Sequence, residues 1–106
     1  MIAFTDYRTL YESAKDFENV DTYITNWKEE HDTALLETIY AISHEGIAAM
    51  MRTEHMPLTR FADKYGLPYR TAQNWKEGTR KSPDHVLLLL GYAVLAEMLS
   101  TQDTQE

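Results

Sequence analysis

Arg70, Gln73 and Asn74 fall within one short stretch, and their side chains are the kinds best fitted to reading the edges of nucleic-acid bases. The guanidinium fork of an arginine matches the paired acceptors of guanine, and a side-chain amide matches the donor–acceptor pair of adenine. Tyr69, just ahead of them, can reach a sugar, a phosphate or a thymine methyl. Around this group Arg60, Lys64, Thr71, Lys76, Arg80 and Lys81 are suited to phosphate oxygens, contacts that fix register without selecting sequence. The chemistry expected of these residues is therefore recognition through hydrogen bonds and charge, with no bond made or broken. The plainer reading is a solvated polar helix face.

Catalytic alternatives find no comparable pattern. His44-Glu45 opens the metalloprotease sequence, but the second histidine would have to stand where the chain has Ala48. His31, His44, His55 and His85 share no metal-ligand spacing. The chain has no cysteine, so thiolate nucleophiles, thiolate metal sites and disulfides are excluded. It contains no glycine-rich phosphate loop, and its carboxylates are scattered over what should be solvated helix faces. The expectation is no enzyme, no cofactor and no metal.

The recognition residues need a scaffold, and the flanking sequence predicts one. Leu58, Phe61, Ala62 and Tyr65 recur at helical spacing, and Gly66 follows where a helix end favours a left-handed residue. In the next segment Ala72 and Trp75 point one way, leaving Tyr69, Arg70, Gln73, Asn74 and Lys76 on the other. Two short helices joined by a tight turn make a helix-turn-helix. The first should lie across a DNA backbone and steady the second, whose N-terminal residues reach the major groove.

Phe61-Ala62, Tyr65-Gly66-Leu67-Pro68, Thr71-Ala72-Gln73-Asn74-Trp75, Gly78, Arg80-Lys81 and Pro83 together resemble the lambda-repressor-like, xenobiotic-response-element (XRE) type of helix-turn-helix. The resemblance covers roughly residues 46–95 and does not extend to residues 1–45. It implies a bacterial or phage regulator, with Gly46 to Thr53 forming the helix that braces the motif. Pro57 stands where the family usually has a capping serine, Leu58 where it often has a phosphate-contacting glutamine, and Lys76 where an acidic residue commonly follows the tryptophan.

Outside the motif the chain reads as helix throughout. Thr5 is the expected cap of a first helix with Tyr7, Leu10, Tyr11, Ala14 and Phe17 inward, and a shorter second helix carries Tyr23, Ile24 and Trp27. These aromatics read as core, because no basic residues interleave them as in a stacking platform for single strands. Asp32 should cap a third helix that keeps Leu35, Leu36, Ile39, Ile42, Ile47 and Met50 on one face, kinked or split near Gly46. Ser82 and Pro83 should cap and open a last helix from Val86 to Leu99, followed by a frayed tail over 100–106. That helix is apolar on every side. Either the N-terminal helices cover it or a second copy does, which makes Val86, Leu90 and Val94 the expected seam of a homodimer.

The fold class expected is a single all-α domain of about five to six helices: an acidic N-terminal extension over 1–45, a helix-turn-helix core over 46–99, and the tail. At 106 residues one core can form without staples. The longest apolar run is too short to span a bilayer and contains Glu97, so a soluble cytoplasmic protein without membrane contact is expected. The formal net charge is −7. Residues 58–84 nevertheless hold six Lys/Arg against three Asp/Glu, while residues 1–57 hold four against eleven. The basic segment coincides with the motif.

Two functions fit this pattern. The first is a sequence-specific, double-stranded-DNA-binding transcriptional repressor acting as a dimer. The second is an acidic protein-interaction module on the same scaffold, whose N-terminal half engages a protein partner: a phage-encoded inhibitor of anti-CRISPR type, or an antitoxin. A purely structural role is the third possibility, since fold alone does not dictate function.

Overall fold

Seven helices account for about three-quarters of the chain in a computed structural model that describes residues 2–104, with side chains through residue 100. They are α1 (Phe4–Ala14), α2 (Val20–Trp27), α3 (Thr33–Glu45), α4 (Ile47–Glu54), α5 (Leu58–Lys64), α6 (Tyr69–Glu77) and α7 (Asp84–Thr104), with no strand among the described residues. The all-α expectation holds, with more helices than the five or six anticipated. The extra one arises at Gly46.

Gly46 adopts φ 61° and ψ −129°, a conformation essentially reserved for glycine, and it separates α3 from α4. A methyl group there would meet nothing closer than 3.8 Å, so the constraint is conformational and not steric. The long single face read from Leu35 to Met50 is thus carried by two helices. Leu36, Ile39, Ile42, Ile47 and Met50 are all buried.

The caps follow the sequence in part. Asn19 accepts the Thr22 N–H at 2.9 Å, and the Asp32 carboxylate accepts the Leu35 N–H at 3.3 Å. Thr5 is not the cap expected of it. The Ala3 carbonyl already accepts the Tyr7 N–H at 3.0 Å, because Phe4 packs edge-on against Tyr92 and draws the helix start forward. At the other end the Pro83 carbonyl takes the first α7 bonds, from Val86 and Leu87, so α7 begins one residue later than Ser82 as cap would require. It then continues to Thr104 through most of the stretch expected to fray; residues 105–106 lie outside the described residues.

α1 and α2 pack on α3, α6 on α4, and α7 crosses α4, α3 and α1. Tyrosine hydroxyls fasten these crossings. Tyr7 donates to the Leu88 carbonyl, Tyr23 to that of Leu10 and Tyr92 to that of Ile2, each at 2.8 Å, and Tyr40 donates to that of Phe17 at 2.9 Å. The N-terminal helices therefore cover the back of α7. Where they cross, Gly91 is obligatory, since a Cβ there would lie 2.6 Å from the Tyr7 hydroxyl oxygen and 2.8 Å from a methyl of Ile42. Val94, expected in a dimer seam, is fully buried within the subunit. Leu89 is the large apolar residue of α7 left open among the described residues, 54% exposed. No described helix is long and apolar enough to cross a membrane.

Candidate nucleic-acid interface

The two motif helices are held by their ends. α5 starts at Pro57, whose carbonyl accepts the Phe61 N–H at 3.0 Å, and buries Phe61 and Ala62. It closes with Gly66 at φ 68°: the Leu67 N–H reaches back to the Ala62 carbonyl at 2.8 Å and the Gly66 N–H to that of Asp63 at 3.3 Å. Both bonds of a Schellman motif are made. α6 ends the same way at Gly78 (φ 80°), with the Thr79 N–H on the Asn74 carbonyl at 3.1 Å. Even α4 closes on a left-handed residue, His55 at φ 55°, where its type gave no hint of it.

α6 buries Ala72 and leaves Trp75 half-buried against the core, as its spacing predicted. Its other face presents Tyr69, 47% exposed, together with exposed Arg70 and Lys76, while Thr71, Gln73 and Asn74 are half-buried. Arg60 on α5 and Arg80 and Lys81 in the following loop are also exposed. Among the described residues none of these five cations has an ion-pair partner within 4.0 Å.

Two of the expected contacts have other occupations. Lys64 lies 2.6 Å from one oxygen of Glu54 and 3.6 Å from Glu97, bracing α5 against α4 and α7. The hydrogen bond to Glu54 raises the affinity of the ammonium for its proton, with Glu97 adding to it. Its charge is already matched. Asn74 accepts a hydrogen bond from the Thr79 hydroxyl at 3.2 Å through its side-chain oxygen, besides holding the turn through its backbone carbonyl. That oxygen keeps a second lone pair and the amide its N–H donors, so the contact orients Asn74 without using up its hydrogen-bonding capacity. Tyr69, Arg70 and Gln73, toward the N-terminal half of α6, have no such engagement among the described residues.

Sequence reasoning missed the carboxylate beneath the motif. The Glu54 side chain is only 6% exposed and also accepts from the Tyr65 phenol at 2.7 Å. Burial first, and then that hydrogen bond, push the phenol well above its ordinary value. Nothing in the spacing of Glu54, Lys64, Tyr65 and Glu97 marks them as one cluster. Only the turn at His55 brings Glu54 back over α5.

Two recesses lie among the described residues. A groove of about 640 Å³ runs between the α1–α2 turn and α3, with Glu18, Asp21, Glu37 and Glu45 on its lining and no cation among them. A smaller cleft of about 230 Å³ lies between the α3–α4 break and the loop after α6. No group of three or more potential metal ligands occurs among the described residues. Comparison with known proteins finds no matching family model, no matching curated protein and no matching solved structure.

Proposed function

We propose that this chain is a sequence-specific DNA-binding regulator of bacterial or phage type, a cytoplasmic repressor that places α6 in the major groove. The observation that carries the reading is the clustering of Arg60, Arg70, Lys76, Arg80 and Lys81, without ion-pair partners among the described residues, around a helix whose polar face is open. Cations without a carboxylate partner leave their charge available to phosphate, and counterion release then contributes to binding. Tyr69, Arg70, Gln73 and Asn74 read bases; Arg60, Thr71, Lys76, Arg80 and Lys81 meet the backbone. Leu89, flanked on its helix face by Val86, Leu90 and Ala93, pairs two subunits on a two-fold-related site.

The acidity is consistent with this role, because α1 and α2 attach through α3 while α6 attaches through α4. The negative extension and the basic motif hang from successive helices of one spine. The acidic groove supports the second reading, a module whose N-terminal half engages a basic protein as an inhibitor or antitoxin does.

Selection from a random-sequence duplex library, with affinity followed across salt, tests the proposal. Enrichment of a discrete two-fold-related site with affinity falling steeply in salt is the expected result. No enrichment at low salt overturns it in favour of the protein-partner reading.

A further inference from the structure

The cleft behind the end of α6 is not used by base reading. Its apolar walls are Ile47, Leu87 and Trp75, and its rim carries Arg80, Lys81 and Ser82. Arg80 and Lys81 are exposed and without ion-pair partners among the described residues. Glu45, the one carboxylate on the lining, is engaged by Arg52 at 2.9 Å. His44 closes the far side, fixed by its Nε2–H donating to the Ala14 carbonyl at 2.7 Å and by stacking on Tyr40 at 4.0 Å.

The two tryptophans differ in a way that bears on this cleft. Trp27 donates its indole N–H to the Ser13 hydroxyl at 3.0 Å. Trp75, on the cleft lining, makes no hydrogen bond through its own among the described residues, and since no buried polar atom there is left unsatisfied, that N–H is open to solvent. Two neighbouring cations, a hydroxyl and a free indole donor in a half-enclosed recess are complementary to an oxyanion with several acceptor oxygens. At about 230 Å³ the recess is smaller than the roughly 300–1,000 Å³ of sites for drug-sized ligands, which suits one phosphate group with little attached to it.

We propose that this cleft is a phosphate site, held by Arg80 and Lys81 with the Trp75 indole N–H. It deepens the DNA-binding reading, since a backbone phosphate beyond the bases read by α6 is one source. A free phosphate or small phosphomonoester is the other. In that case the anion occupies part of the backbone contact and lowers affinity for DNA.

The test uses the full chain with Trp27→Phe, leaving Trp75 as the sole indole. Its emission is followed on adding inorganic phosphate at constant ionic strength, and separately on adding a short mixed-sequence duplex whose binding is read in parallel by anisotropy of a label on the DNA. A saturable change with phosphate, weakened at least tenfold by Arg80→Gln plus Lys81→Gln, establishes a free-anion site whether or not the duplex binds. A change with duplex alone, equally dependent on both residues, assigns the cleft to the DNA backbone. Duplex binding with a silent Trp75 overturns the cleft and leaves the DNA reading intact. Silence toward phosphate with no duplex bound, or a response indifferent to both substitutions, overturns the cleft as well. Both residues are exposed, so circular dichroism should show the variants folded.

Discussion

The Lys64 ammonium and the Glu54 carboxylate meet at 2.6 Å, and that carboxylate is almost entirely buried. Lys64→Ala leaves Glu54 with the Tyr65 phenol as its remaining donor among the described residues, so the variant loses about 1–3 kcal/mol of stability. The same substitution leaves the salt dependence of DNA binding unchanged, because Lys64 releases no counterion from DNA. Thermal melts and affinities across salt separate the two effects. A shallower salt slope with unaltered melting would return Lys64 to the backbone set.

Arg70 and Arg80 should behave as opposites. Arg70→Ala is expected to cost about 1–3 kcal/mol at one position of the preferred site and relax base choice there. Arg80→Gln should weaken binding to every sequence alike and reduce the slope of log affinity against log salt by about 0.9. Competition with single-position variants of the selected site gives the first, and the salt series the second.

Gly91→Ala tests the helix crossing. The added methyl would press on the Tyr7 hydroxyl at 2.6 Å and on Ile42 at 2.8 Å, so either α7 shifts or the Tyr7–Leu88 hydrogen bond opens. A loss of about 1–3 kcal/mol follows from overpacking, against the small gain alanine normally brings to a helix. An unchanged or higher melting temperature would contradict the packing described.

Leu89→Asp addresses the proposed dimer. The side chain is more than half exposed, so the subunit should remain folded with a melting temperature within a few degrees of the parent when both are dilute. Sedimentation should then find the parent dimeric and the variant monomeric. Equal masses for the two would remove α7 from any interface.

Alkaline pH acts on the tyrosine ties. Burial, aided by Glu12 and Asp84, pushes the Tyr11 phenol up to about 12 from its ordinary value of 10.0, and burial raises Tyr7 and Tyr23 further. The folded state thus holds these protons where the unfolded chain has begun to release them. Stability is fully present below about pH 10 and falls as pH rises from 10 toward 12 and beyond. Tyrosinate absorbance should appear in step with loss of helical dichroism. Free titration of Tyr7, Tyr11 and Tyr23 at pH 10 with the helices intact would contradict their burial.

Much of this architecture was legible because helices write their period into the sequence. Tyr7, Leu10, Tyr11 and Ala14 form a buried stripe as spaced, and Gly66 closes its helix where glycine was expected to permit it. What escaped depends on partners far away in the chain. Thr5 lost its cap to a contact between Phe4 and Tyr92, and no local rule carries that distance. Val94 and Leu89 are both apolar, and only the placement of α1, α3 and α4 against α7 decides which of the two is covered. Within the site, exposure of Arg70 followed from its side of α6, but the engagement of Lys64 needed Glu54 and Glu97 brought to it. The side-chain oxygen of Asn74 is approached by the hydroxyl of Thr79, a residue whose role the sequence did not suggest.

The fastening of the first helix to the last bears on how the protein is made. Tyr7 bonds to Leu88 and Tyr92 to Ile2, spans of 81 and 90 residues. During synthesis α1 leaves the ribosome well before α7, yet its buried face has no complete cover until α7 has emerged. At about 5–20 residues per second, the intervening segment keeps that aromatic surface waiting for several seconds. The helix-turn-helix, whose contacts are local, can order itself meanwhile. Closure of the chain ends is then the late event of biogenesis, and the interval before it is when the nascent protein is most open to chaperones and proteases.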